Sequence, residues 1–482
     1  MLTTLAWPLA RKVFRQAVNL RTLCFTLLFA IFGVVLSRRH LTQALHQVQP
    51  ALTSDPECMA GDMLALPRSV FWAYGAPGVP SLVDLVMRDG SVFATFNLKA
   101  NLPQGGFTIA GNGPTQGQAP WHEASWLFSF HNTSTNLETT TMGTTFGKEP
   151  DGHTLVVHAP LPDGGLIPRA SASNAAATLM WHVSLHAVMP AGDMYPQKEL
   201  HYPRVPFCAS QSVLVGDGFS SERYLLVACT SVMQDFIHLL PEWIAYHSAM
   251  QSYEHFFIYV NDDVDPVRSL LAGFVASGLV TVVDFEWPVE YRGHLVYQQA
   301  AENACLIRAR GVSRWVAFHD VDEFTTGSRL NASKSLIEAL TLKSRPNGVL
   351  RLQTQWYGAN ANAVRQEEQD AAWPTLVLGR LRTPGDVVHG ARQKCIVSPR
   401  VVSYFSVHGV SMGASMTDIS TDDARVLHFK QASYMTALNG EPDDTLLVAA
   451  AATQTRLEQL SAKGFPELFY IKPPPPPISA HL

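Results

Sequence analysis

From Arg204 onward, unbroken apolar runs alternate with longer stretches whose apolar residues recur at every third or fourth position. Tyr224–Cys229 (YLLVAC) is the first such run and predicts a strand buried on both faces. A helix capped by Asp235 should follow, with Leu239, Leu240, Trp243, Ile244 and Met250 on its inner face. The second strand is His255–Val260 (HFFIYV). Asp265 and Pro266 then supply an N-cap and a first-turn proline, Leu270, Leu271, Phe274 and Val275 supply an apolar face, and Gly278 ends the helix. The strand Leu279–Phe285 follows directly. A third helix, roughly 295–310, stops at Gly311 and feeds the strand Arg314–Phe318 (RWVAF). Strands that alternate with helices in this way imply right-handed crossovers and a mainly parallel sheet covered on both faces. Such α/β sheets bind ligands at the carboxyl ends of their strands, where Thr230, Asn261 and Asp320 fall.

The preceding part of the chain has a different rhythm. Residues 68–203 carry short Val, Phe, Trp and Thr runs, such as Ser91–Leu98, Trp126–Phe130 and Thr154–Val157, broken by Gly, Pro and Asn. This predicts a β-rich accessory module. Thr22–Leu36 carries no charge, follows Arg11, Lys12, Arg15 and Arg21, and precedes Arg38 and Arg39. We read residues 22–37 as a transmembrane anchor, 1–21 as a cytoplasmic tail and 38–67 as a stem, with the remainder lumenal. Fifteen apolar residues span about 22 Å against a hydrocarbon core of about 30 Å, a shortfall eased by a thin early-secretory bilayer and snorkelling arginines. A cleaved signal peptide is the alternative, although no small-x-small site follows. Residues 204–470 form the α/β domain, and 471–482, containing Pro473–Pro477, an extended tail.

Composition narrows the function. With 482 residues, 47% apolar and 16% charged, the chain can build a large core, and a formal charge of -5 offers no field for nucleic acid. Asn132 and Asn331 begin glycosylation sequons, consistent with lumenal placement. Of six cysteines, Cys24 lies in the apolar segment, leaving Cys58, Cys208, Cys229, Cys305 and Cys395, so at least one is unpaired or intermolecular. No Cys or His spacing suits structural zinc.

The chemistry centres on Asp320-Val-Asp-Glu323, directly after RWVAF. On an extended segment Asp320 and Asp322 point to one side and converge on a hard cation, Mn²⁺ or Mg²⁺, while Glu323 faces away from Asp322. Such a cation would neutralise the charge that develops when a sugar leaves its nucleoside diphosphate. About one Asp-x-Asp is expected by chance in a chain of this length. A second, Asp263-Val-Asp265, also follows a strand, but its Asp265 is better used as the helix cap. His319, His408 and His428 have no context of their own, and a lone histidine is more often packed or solvated than a ligand.

The series Leu240-Pro-Glu-Trp-Ile-Ala-Tyr-His247, Phe257–Asn261, Gln298-Gln299 with Cys305, Trp315–Phe324, Trp356 with Gly358, Lys394–Pro399, Val407-His408 and Leu427–Lys430 resembles glycosyltransferase family 92 over about residues 205–430. His319 stands where that family usually has an apolar residue. The resemblance implies a GT-A fold and an inverting transfer of a hexose, galactose from UDP-galactose, to a glycan hydroxyl by a single-pass type II Golgi enzyme. Carried over, it makes Asp320 and Asp322 the metal and donor-phosphate motif, Thr230 and Asn261 nucleoside contacts, His428 the further metal ligand and Lys430 a diphosphate contact. His408 is an alternative ligand or an acceptor contact, and Trp356 a sugar platform or a core residue. The disulfides inferred with it are Cys208–Cys229 and Cys305–Cys395, with Cys58 left to link a homodimer. Neither pattern nor resemblance identifies the catalytic base; Glu323, Glu367, Glu368 and Asp370 are candidates. A lumenal lectin or pseudoenzyme on the same fold is the competing class.

Overall fold

The computed structural model describes residues 81–88, 90–97, 121–132, 136–148, 154–162, 178–189, 198–210, 223–261, 263–285, 294–327, 336, 348–359, 382–388, 392–429 and 445–461. The expected anchor, stem and proline tail lie outside these residues. Among the described residues no helix is long and apolar enough to cross a membrane.

Seven strands form the first sheet: β1 (Ser81–Arg88), β2 (Ser91–Asn97), β3 (Ser125–Asn132), β4 (Leu137–Lys148), β5 (Thr154–Pro160), β6 (Thr178–Met189) and β7 (Lys198–Ser210). All neighbours are antiparallel, in the order β1-β2-β5-β4-β3-β6-β7. Alternation builds its core: Trp126, Phe128 and Phe130 of β3 and Val183, Leu185 and Ala187 of β6 are fully buried, while Ser129, His131, Ser184 and His186 between them are half-exposed. Phe96 and Tyr202 complete this cluster, with the Phe96 ring 4.7 Å from Trp126.

The second sheet begins with β8 (Tyr224–Val232), β9 (His255–Val260), β10 (Val280–Asp284) and β11 (Ser313–Phe318), ordered β10-β9-β8-β11 and parallel throughout. Helices α1 (Leu240–Met250), α2 (Val264–Leu270), α3 (Ala272–Ala276) and α4 (His294–Ala309) connect them. Period-two alternation splits each strand between two cores. Leu226 and Ala228 face α1, and Val227 and Cys229 face α4. Being covered on both sides is why these strands read as unbroken apolar runs. Beyond β11 come β12 (Glu323–Gly327), β13 (Val349–Ala359), β14 (Arg382–Val388), β15 (Lys394–Val397), β16 (Tyr404–Ser406), β17 (Gly409–Met412), β18 (Met416–Asp418) and β19 (Ala424–Phe429). They extend the sheet as β11-β15-β13-β19-β12, with β15 antiparallel to both of its neighbours. The terminal helix α5 (Thr445–Ser461) adds Ala449, Leu457 and Leu460 to the core that holds α1.

The described residues fall in one compact unit, and α4 joins the two sheets within it. Its Ile307 packs among Val86, Phe93 and Val156 of the first sheet. Arg308 meets Asp84 in a fully buried ion pair, and the Arg88 side chain donates to the Arg308 carbonyl at 3.0 Å.

Three local expectations need correction. Asp235 lies in a 3-10 turn, Gln234–Leu239, and α1 starts later at Leu240 with a proline in its first turn and no side-chain cap. The cap of α2 is Asp263, whose side chain accepts the Asp265 amide at 3.1 Å, because the chain leaves the strand two residues earlier than the proline suggests. Asp265 instead sits in the first turn beside Arg268 at 3.5 Å. Among the described residues the disulfide is Cys229–Cys305, with a Cα separation of 6.3 Å, because α4 crosses the face of β8; Cys395 is a buried free thiol, which rules out the expected Cys208–Cys229 and Cys305–Cys395 pairs.

Candidate active site

In the order β10-β9-β8-β11, β8 has the earlier crossover on one side and the last on the other, so the switch point lies between β8 and β11. Cys229 and Phe318 are register partners there, and the chain beyond Phe318 enters the acidic motif. That motif is a turn rather than an extended segment: the Glu323 amide donates to the Asp320 carbonyl at 3.0 Å, and β12 starts only at Glu323. The turn sends the carboxylates to different partners.

Asp320 is gripped on both oxygens. Gln298 Nε2 donates to Oδ1 at 2.9 Å and Lys394 Nζ donates to Oδ2 at 2.9 Å. Lys394 also lies 3.0 Å from Glu323 Oε2, which accepts the Asp320 amide at 3.0 Å. Glu323 Oε2 thus lies with Asp320 and Lys394. Its side chain is only 2% exposed, and its Oε2 is occupied by these donors. Burial would lower the Lys394 pKa, but Asp320, Glu323 and Glu302 outweigh it and hold the ammonium charged. Burial raises Glu323 to about 7 against the pull of Lys394. Glu302, one turn beyond Gln298 on α4, is pushed by burial to about 8.

Asp322 turns the other way. Its Oδ2 lies 3.3 Å from His428 Nε2, and the other ring nitrogen of His428 is 3.4 Å from Glu323 Oε1. Strand pairing places His428: Glu323 and His428 are register partners of β12 and β19, and the Phe429 amide donates to the Asp322 carbonyl at 2.8 Å. Burial lowers the His428 pKa, but the Asp322 hydrogen bond and the Glu323 charge raise it above its ordinary value. On β13 Trp356 is the register partner of His428, with ring centroids 5.8 Å apart, and the Arg392 guanidinium lies 5.4 Å over the indole. His408 is held by a 3.1 Å hydrogen bond to the Gln393 carbonyl, beside Lys394. Burial, then Lys394, lower its pKa.

Thr230, two residues before the end of β8, and Asn261, directly after β9, are both buried. Among the described residues Thr230 Oγ1 and both amide atoms of Asn261 have no hydrogen-bond partner, a feature that a ligand's polar edge would explain. His319 points inward instead, to Tyr253 Oη at 3.0 Å and Thr325 Oγ1 at 2.8 Å, and burial holds it neutral. Lys430, Glu367, Glu368, Asp370 and Asn331 lie outside the described residues, as do the side chains of Asn132 and Cys208.

Among the described residues no group of three or more His, Cys, Asp or Glu side chains is arranged to hold a metal ion. The Asp322–His428 pair nevertheless suits two places on one divalent cation, whose remaining places would go to water and phosphate oxygens. Asp320 carries a protein donor on each oxygen, Gln298 on Oδ1 and Lys394 on Oδ2, which compete with a cation there. Sequence reasoning missed Lys394, Glu302 and Arg392 as site residues. The only signal for Glu302 was its four-residue spacing from Gln298, which places both on one helix face.

Residues 224–457 match the family model described as Glycosyltransferase family 92. A glycosyltransferase family 92 protein of Ricinus communis is 30% identical over 107 residues, 22% of this chain and 18% of that protein. Galactan beta-1,4-galactosyltransferase GALS1 of Arabidopsis thaliana is 30% identical over 108 residues, 22% of each chain. The matched stretch thus spans about a fifth of each relative's length. The crystal structure of galactosyltransferase LgtC in complex with donor and acceptor sugar analogues aligns at 12% identity over 36% of this chain and 58% of that chain, with a TM-score of 0.20.

Proposed function

Residues 224–457 belong to glycosyltransferase family 92, and on that premise we propose that the chain transfers a hexose, galactose from UDP-galactose, to a glycan hydroxyl with inversion. The carrying observation is the Asp322–His428 pair, 3.3 Å apart, in the turn that follows β11 and beside the β12–β19 pairing. A binding module has no need of a diphosphate-handling pair in that position. The orphaned polar atoms of Thr230 and Asn261 at adjacent strand ends would receive the nucleoside. Asp322 and His428 would hold Mn²⁺ or Mg²⁺. Bound there, the cation would offset the charge that builds on the departing diphosphate.

The chain's own residues do the rest. Lys394 fixes Asp320 and the turn, so that Asp322 is positioned before substrate arrives. Trp356, beside His428, offers an apolar face for a sugar ring. The base that takes the acceptor proton is sought in the segment carrying Glu367, Glu368 and Asp370. We place this chemistry in the Golgi lumen, on a type II anchor at residues 22–37, from the charge-free run and its basic flank.

The purified chain, incubated with UDP-galactose and a panel of acceptor glycans, should release UDP only when Mn²⁺ or Mg²⁺ is present. Turnover that needs no metal and survives Asp322→Asn would overturn this reading.

A further inference from the structure

We infer that Lys394 is a positioning residue that divides the acidic motif, clamping Asp320 to the buried Glu323 and leaving Asp322 with His428 as the pair that holds a cation. The inference rests on the cation-dependent reading of this site. Its first support is burial: the Lys394 side chain is 2% exposed, so its charge is matched by protein groups rather than water. Its second is the accounting of oxygens. Oδ2 of Asp320 accepts from Lys394 and Oδ1 from Gln298, while Oε2 of Glu323 accepts from Lys394 and from the Asp320 amide. One ammonium thereby closes the turn on itself, tying its first residue to its fourth.

The third support is electrostatic. A divalent cation on Asp320 would sit one carboxylate away from a fixed positive charge in a poorly solvated site, where like charges repel strongly. Among the described residues the ion-pair partner of Asp322 is His428 rather than an ammonium group. Asp320 is the more exposed of the two aspartates, 41% against 19%, yet it is the one held by donors. Lys394 itself sits at the first position of β15, and β15 is wedged between β11 and β13, so its position is set by the sheet and not by a loop.

The test reads Mn²⁺ binding to the purified full chain by electron paramagnetic resonance, with the metal alone as probe. In the wild-type background, Asp322→Asn should weaken binding at least ten-fold and Asp320→Asn less than three-fold. Lys394→Met alone leaves Glu323 buried beside Asp320 with no cation and risks misfolding. The second background is therefore Lys394→Met with Glu323→Gln, which removes one charge of each sign and is checked for folding by its melting curve. There, Asp320→Asn should now weaken Mn²⁺ binding at least ten-fold, because Asp320 has been released. Equal losses for the two aspartates in the wild-type background, an unchanged Asp320 effect in the second, or no Mn²⁺ binding to the wild type would each overturn the inference. Absence of hexose transfer alongside the expected Mn²⁺ pattern would sink the transferase reading alone.

Discussion

Arg308 Nη2 lies 2.7 Å from both carboxylate oxygens of Asp84, a residue 224 positions earlier in the chain. The two side chains are 2% and 4% exposed, and Tyr259 Oη accepts from Arg308 Nε at 3.1 Å. The contact joins the first strand of one sheet to the helix that, about 15 Å away at Gln298, grips Asp320. Removing one partner strands the other's charge in the interior. Asp84→Asn should therefore cost about 3–5 kcal/mol, read from urea unfolding, while Asp84→Leu with Arg308→Met should recover most of that loss. An unchanged midpoint for Asp84→Asn would show that the ion pair does not hold the sheets together.

The described partner of the Asp322 carboxylate is one histidine, and the side chain belongs to none of the hydrophobic clusters, so it can be neutralised without loss of core. Asp322→Asn should lower UDP release from UDP-galactose by about 100-fold or more, equivalent to about 3 kcal/mol of transition-state stabilisation. The melting temperature should stay close to that of the wild type. Activity within a few-fold of wild type would remove Asp322 from the donor site.

His247 donates from Nδ1 to the Trp243 carbonyl at 2.9 Å and accepts the Thr325 amide on Nε2 at 3.1 Å, so only its neutral form satisfies both partners. Burial lowers it to about 3, and burial lowers His255 to about 4. Above their ordinary value of 6.5 both are neutral folded and unfolded, and they contribute no pH dependence. As pH falls below 6.5 the unfolded chain takes up protons that the fold refuses, so stability declines, by up to about 3 kcal/mol between pH 6.5 and 5 for the pair. Denaturant midpoints across that range should fall in the wild type and fall less steeply in His247→Gln, compared with each variant's own value at pH 7.

Glu302 gives the opposite sign. Burial raises its carboxyl from 4.5 to about 8, so it folds protonated, and the stability this preserves is complete below pH 4.5 and lost as pH rises through 8. Glu302→Gln keeps the shape and removes the titration. Relative to wild type, the variant should gain stability from pH 5 to pH 9; a constant difference across that range would mean that Glu302 is already ionised in the fold.

The Cys229–Cys305 bridge closes a segment with a sequence separation of 76, long enough for a large effect on the unfolded chain. Replacing both cysteines with serine should cost about 2–5 kcal/mol. Burial pushes the Cys395 thiol up to about 12, so alkylation followed by peptide mass spectrometry should label that residue only after unfolding. Rapid labelling in native buffer would contradict its burial.

The four parallel strands and the helix ending at Gly311 were legible because each depends on local spacing. Period two or period 3.6 is written into adjacent residues, and burial on both faces makes a strand such as His255–Val260 continuously apolar. The place of the acidic motif, after the last parallel strand, followed from the same pattern. Its shape did not: the pattern could not tell an extended Asp320–Glu323 from a turn, since the difference rests on a hydrogen bond that Lys394 and the Glu323 carboxylate help to close.

What the sequence determined by itself was the order of the elements and the residue types available at their ends. Tertiary structure alone decided which of those residues meet. Cys229 finds Cys305 because α4 crosses β8, His428 reaches Asp322 because β19 pairs with β12, and Lys394 reaches Asp320 because β15 inserts antiparallel beside β11. Each of these depends on sheet register and helix placement across tens of residues, and such contacts leave no periodic trace in the chain that makes them.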